Sequence, residues 1–138
     1  YYVIRYAEVL LSLSEAMIEK GGYSQDQITK YINEVRQRVN MPKVEDVEGK
    51  GLSQEQLRQI VRHERRVELA FEDLRFADLY RWGEWKNAVE RMNKEFETYG
   101  AGDYERSYRG AQDEVWPIPQ NEIDTDKNLK QHKEWGGE

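Results

Sequence analysis

Apolar residues recur along this chain at helical intervals, in runs separated by glycines, prolines and acidic clusters. Ile4, Ala7, Leu10, Leu11 and Ile18 share one face of a helix predicted from about Val3 to Lys20, with Gly21-Gly22 ending it. Ser24-Gln25-Asp26-Gln27 then forms a capping box: the Ser24 hydroxyl accepts an early backbone N–H while the Gln27 side chain reaches back. Ile28, Tyr31, Ile32, Val35 and Val39 make the next stripe, stopped by Asn40 and Pro42. Two helices joined by a short glycine-containing turn form an antiparallel hairpin. Met41 to Gly51, with Pro42, Gly49 and the acidic Glu45, Asp46 and Glu48, reads as a loop. A second capping box, Ser53 to Gln56, opens a helix lined by Leu57, Ile60, Val61, Val67 and Phe71. After a bend near Glu72-Asp73 the pattern continues through Leu74, Phe76, Leu79, Tyr80 and Trp82. It breaks at Gly83 and resumes with Trp85, Ala88, Val89, Met92 and Phe96. From Tyr99 the periodicity ends, and Gly100, Gly102, Gly110, Pro117 and Pro119 punctuate a long irregular tail. A tail of this length has to pack on something, and Trp116 and Ile118, framed by prolines, read as an extended anchor laid on the helices.

This pattern is all-α. With 138 residues, the chain is expected to fold as a single domain, helical over about 3–97 and irregular over 98–138. Charged residues make up 35% of it, but the 12% aromatic share argues against wholesale disorder. A net charge of -6, with Lys and Arg interleaved among Asp and Glu, argues against nucleic acid as a partner. The lack of cysteine excludes disulfides and thiolate chemistry. No apolar run approaches the ~20 residues needed to cross a bilayer, and no signal peptide is present. The chain opens at Tyr1-Tyr2-Val3-Ile4, almost at once inside a helical pattern, and reads as a processed or excised piece of something longer.

His63-Glu64 starts like a zincin motif, but Val67 stands where the second histidine must be, and His132 is far away in the tail. Asp124 to Asn128 starts like a calcium loop, but Leu129 replaces the required glycine and Trp135 the twelfth-position glutamate, so it reads as a turn or cap. Glu64 and Glu68, one helical turn apart, point the same way, whereas a glycosidase needs carboxylates on opposite sides of a sugar. Their expected role is ion pairing with Arg65, Arg66, Arg75 or the first hairpin's Arg5, Arg36 and Arg38. Trp82, Trp85 and Trp116 fall where core packing would place them. Tyr99, Tyr104 and Tyr108, in a glycine-rich stretch with Asp103 and Arg106, either stack on sugar faces or pack against a neighbouring segment. No serine is paired with a base at a recognisable spacing, and no phosphate-cradling glycine loop is evident. No catalytic residue, cofactor or metal is expected.

Three stretches, in order, resemble the C-terminal signature of the SusD/RagB family. These are Arg5-Tyr6-Ala7-Glu8-Val9-Leu10-Leu11 with Ser14-Glu15-Ala16, the run IVRHERRVELAFEDLRFADLYRWGEW from Ile60 to Trp85, and Trp116-Pro117-Ile118-Pro119-Gln120-Asn121-Glu122-Ile123 with Asn128-Leu129-Lys130-Gln131 behind it. The resemblance runs from about Arg5 to Trp135; Lys43–Leu52 and Tyr99–Gln112 carry no signature, and full-length members are several times longer. It implies a SusD-like α/α superhelix of tetratricopeptide-like hairpins with a long irregular C-terminal tail. It further implies a surface lipoprotein of a Bacteroidetes-type bacterium, held at the outer membrane by a lipid anchor that lies outside this segment. The implied partner is a SusC-like TonB-dependent transporter, and the implied cargo an oligosaccharide or, in some relatives, a peptide. No binding residue transfers by position. The shared motifs resemble scaffold, with Arg62, Glu64, Arg65, Glu68, Arg75 and Asp78 as an ion-pair network and Trp82, Trp116 and Ile118 as packing anchors. With the resemblance set aside, amphipathic hairpins alone would fit a helical-repeat scaffold that binds another protein. The fixed Trp116-Pro117-Ile118-Pro119 after a long loop argues against a bare scaffold.

Overall fold

The computed structural model describes residues 4–100 and 106–137. The chain divides into two compact units, Tyr1–Arg75 and Phe76–Glu138, and its regular elements are helical throughout the described residues.

The first unit contains α1 (Tyr6–Lys20), α2 (Gln25–Arg38), α3 (Val44–Glu48) and α4 (Gln54–Glu68). Both capping boxes are in place, Ser24 with Gln27 and Ser53 with Gln56, so two helix starts have their early N–H groups satisfied locally. α1 packs against both α2 and α4. The core between them is Leu10, Leu11, Ile18, Ile28, Ile32, Val35, Val44, Leu57 and Val61. Each such fully buried aliphatic side chain stabilises the fold by roughly 1.5–3 kcal/mol before entropy is subtracted. Ser14 sits in the same interior and donates to the Ile28 carbonyl at 3.1 Å, which removes the cost of burying its hydroxyl.

Several expectations change here. α1 starts at Tyr6 rather than Val3, because Arg5 is extended at the N-cap, and Ile4 is left exposed. The stretch read as a loop holds α3, whose Val44 is fully buried. Three polar contacts dock it on α2: Asn33 accepts the Val44 N–H at 2.8 Å and donates to Glu45 at 2.8 Å, and Thr29 donates to Glu45. Burial works against the charged Glu45, but those hydrogen bonds outweigh it and hold the carboxyl below its ordinary range. Val39, just past α2, and Val67 and Phe71 are exposed rather than buried. In α4 the buried stripe passes through Leu57, Val61, Glu64 and Arg65, so charged residues take the inward positions and Val67 lies off it. Beyond α4, Phe71 and Asp73 adopt left-handed backbone, φ 66° and 61°, which carries Phe71 out of the helical register.

The second unit is built on α5 (Leu74–Arg81), which starts at the boundary, α6 (Trp85–Tyr99), and a C-terminal segment with a short α7 (Gln120–Thr125). That segment, irregular in sequence, is tied to itself by side chains that imitate strand pairing. Gln131 accepts the Ile118 N–H at 3.0 Å and donates to its carbonyl at 2.9 Å, Trp135 donates its indole N–H to the Val115 carbonyl at 2.6 Å, and Gln112 donates to the Glu134 carbonyl at 2.8 Å. Gly137 passes so close to Gln131 that a Cβ there would lie 1.7 Å from its carbonyl oxygen. The calcium-like stretch is a turn in which Asp126 accepts the Asn128 N–H at 2.9 Å. Ile118 is half-buried, but Trp116 is 79% exposed, so its ring is not the packing anchor that its flanking prolines suggested.

Candidate functional site

Two groups of side chains could carry chemistry, and they differ in what they leave open. The first is charged and lies in the first unit. Glu64 on α4 accepts from Arg36 on α2 through Nε at 2.9 Å and Nη2 at 2.6 Å, with both side chains under 10% exposed. Glu68, the last residue of α4, takes Arg5 at 2.6 Å and Arg38 at 2.9 Å. Arg5 also donates to the Glu68 carbonyl and reaches Glu72 at 2.7 Å, so one guanidinium at the start of α1 caps the end of α4. The Glu72 hydrogen bond foremost raises the Arg5 pKa. Arg65 lies 3.8 Å from Glu15 and donates to Ser12 at 2.9 Å. Both carboxylates of the Glu64/Glu68 pair are thus committed to arginines on other helices. Removing one partner of such a buried pair strands the other charge, which costs several kcal/mol.

The second group is aromatic and lies wholly in the second unit. Phe76 on α5, Trp85 at the start of α6, and Trp116, Pro117 and Trp135 of the C-terminal segment surround a cleft of about 370 Å³, completed by Arg109, Gln112 and Asp113. Phe76 and Trp85 meet edge to face, centroids 5.0 Å apart. Arg109 stands 5.4 Å from the Trp135 ring centroid. Asp113 organises this wall: it accepts the Arg109 backbone N–H at 2.9 Å, the Arg109 Nε at 3.0 Å and, more weakly, the Trp85 indole N–H at 3.4 Å. The Arg109 backbone N–H, foremost, holds the Asp113 carboxyl below the ordinary carboxylate range, against the opposing effect of burial. A smaller hollow of about 210 Å³ shares Trp85 and is lined by Tyr80, Tyr108 and Glu114. Burial raises the Tyr80 phenol pKa, and the nearby Glu114 and Asp113 add to it.

The residues singled out in the sequence fall in different places. Glu64, Arg65 and Glu68 belong to the first unit's ion pairs, where Arg62 and Arg75 are half-buried. Asp78 is buried on α5 and pairs with Arg81 at 2.9 Å. Trp82 is half-buried, with the Arg81 guanidinium 4.9 Å from its ring centroid. Among the tyrosines, Tyr99 is exposed at the end of α6, Tyr108 lines the smaller hollow, and Tyr104 lies outside the described residues. The cleft's polar wall of Arg109, Gln112 and Asp113, and the ring of Trp135, were not among the candidates. The available signal was the Arg109–Asp113 spacing of one helical turn beside a tryptophan-rich segment. His63 and His132 are both exposed, and among the described residues no group of three His, Asp or Glu is placed to hold a metal.

The SusD family profile matches residues 1–135. SusD-like protein P2 of Formosa agariphila is 31% identical over 134 residues, which is 94% of this chain and 24% of that protein. SusD-like protein P25 of the same bacterium is 38% identical over 96 residues, covering 70% of this chain and 18% of that one. Two crystal structures share the fold at 31% identity over 96% of this chain. One is a SusD superfamily protein from Bacteroides vulgatus, TM-score 0.74, and the other a SusD homolog from Bacteroides thetaiotaomicron, TM-score 0.75. The chain spans 27% and 26% of those two structures.

Proposed function

The chain belongs to the SusD family, and on that premise we propose that it is part of a surface nutrient-binding lipoprotein that captures oligosaccharide at the outer membrane and passes it to a SusC-like TonB-dependent transporter. The observation that carries this reading is the family match across residues 1–135, supported by relatives 31% and 38% identical. Capture is reversible and makes no covalent bond. Two features support that part of the reading: proteins of this family are generally binding proteins, and Glu64 and Glu68, the carboxylates best spaced to attract a catalytic explanation, are occupied by Arg36, Arg5 and Arg38. Among the described residues no helix is long and apolar enough to cross a membrane; the proposed tether is the lipid anchor that membership of the family suggests.

The test uses the protein at its full expressed length on immobilised glycans, followed by calorimetry and chromatography of the sugar recovered. The expected result is saturable binding of an oligosaccharide that is returned intact. Retention of peptides with no glycan bound, or recovery of a cleaved sugar, would overturn it. Co-purification with a transporter from membranes tests the proposed partner.

A further inference from the structure

Just past α4 the backbone takes an uncommon shape around a single phenyl ring. Phe71 has φ 66° and Asp73 φ 61°. Aspartate tolerates the left-handed region through its short polar side chain, but a bulky residue such as Phe is a steric outlier there. The strained turn is fastened on both sides. Leu69 before it is buried, at 3% exposure. Glu72 after it accepts from the Arg5 Nε at 2.7 Å, and the same guanidinium pairs with the Glu68 carboxylate at 2.6 Å and donates to the Glu68 carbonyl. What this fastening holds is a Phe71 that is 105% exposed. Within residues 1–138 the strain is therefore kept with no burial to offset it, and strain of that kind persists where surrounding contacts over-determine it for a use.

We propose that Phe71 is a docking anchor, its ring seated in an apolar recess of the part of the same polypeptide that lies outside residues 1–138. The chain spans 24% of SusD-like protein P2 and 27% and 26% of the two crystal structures, so in a protein of that length most of the polypeptide is available to cover the ring. Val67, near the end of α4, is also apolar and 58% exposed, which gives the covering surface the same apolar character. The strain argues for a permanent cover. It belongs to the folded segment at all times, and a partner that comes and goes leaves it without compensation between encounters. A covering segment joined by the chain itself is always present and loses no translational freedom on docking. Arg5 then has a second role: by gripping Glu68 and Glu72 on either side of the turn it orders the anchor before the recess closes on it. The inference does not use the cargo and stands apart from glycan capture.

Urea unfolding of the protein at its full expressed length tests this through the sign of one substitution. Glycine adopts φ 66° without strain, so Phe71→Gly separates the two contributions. With the ring seated, Phe71→Gly and Phe71→Ala both lower the urea midpoint, and Phe71→Leu stays closer to the wild type. With the ring in water, Phe71→Gly raises the midpoint or leaves it unmoved, and that result overturns the proposal. Thiol labelling of Phe71→Cys, read by mass spectrometry of the peptide carrying that position, gives an independent readout. Labelling in the folded protein is expected to be at least ~10-fold slower than in urea, and an equal rate would overturn the proposal. An unmoved midpoint in Phe71→Ala together with loss of a co-purifying transporter, or of a dimer in light scattering, would also overturn it, because the ring would then belong to another molecule.

Discussion

The two units use the same kinds of side chain in opposite ways. In Tyr1–Arg75 the interior holds a continuous aliphatic core, and even its charges are turned inward, with Arg36 and Glu64 both buried between α2 and α4. In Phe76–Glu138 the buried aliphatic side chains among the described residues are Leu79 and Val89, while tryptophans stand half or fully open around a cleft. A region that buries its charges and aliphatics gains stability and has little left to offer a ligand. A region that leaves rings open gives up that gain and keeps a surface for recognition. The contrast is between a region that commits its side chains to packing and one that leaves rings open.

Substitutions can break or sharpen this contrast. The largest expected loss is for Glu64→Ala, which strands the buried Arg36 and should cost roughly 3–5 kcal/mol in chemical unfolding. Leu11→Ala, at a fully buried position, should cost about 2–5 kcal/mol by the same measurement. Ser24→Ala removes the α2 cap and should cost about 1 kcal/mol. In the second unit, the Asp113 carboxyl lies below its unfolded value, so its contribution is present above the ordinary carboxylate pKa of about 3.9 and is lost as pH falls through the lower folded value. Near-ultraviolet dichroism of the tryptophans should therefore fade on acidification through that window, with Asp113→Asn removing this part of the transition. The smallest expected effect on stability is for Trp116→Ala, within about 0.5 kcal/mol, because the ring is exposed.

The helical part of the fold was legible because capping boxes and periodicity are local signals. Ser24-Gln27, Ser53-Gln56 and the Leu10, Leu11, Ile18 stripe needed no knowledge of distant residues. α3 was missed because five residues make little more than one turn of pattern, and its stability comes from Asn33, distant in sequence. Val67 and Phe71 lie off the buried stripe that periodicity alone would give them, because Glu64 and Arg65 hold inward positions of α4 through pairing with distant residues. The cleft was the least legible feature. It is assembled by Gln131 and Gln112 bonding to distant backbone groups, contacts that have no periodicity, and so Arg109, Asp113 and Trp135 do not stand out in the sequence.

The claim that buried charges bind the first unit's helices to one another, rather than serving chemistry, is tested most directly by a double-mutant unfolding cycle on Arg36→Met and Glu64→Leu. Each single change should be strongly destabilising, and the pair together should cost well short of the sum of the two, a coupling of at least about 3 kcal/mol. Losses that simply add would contradict the account, because the two charges would then be acting independently.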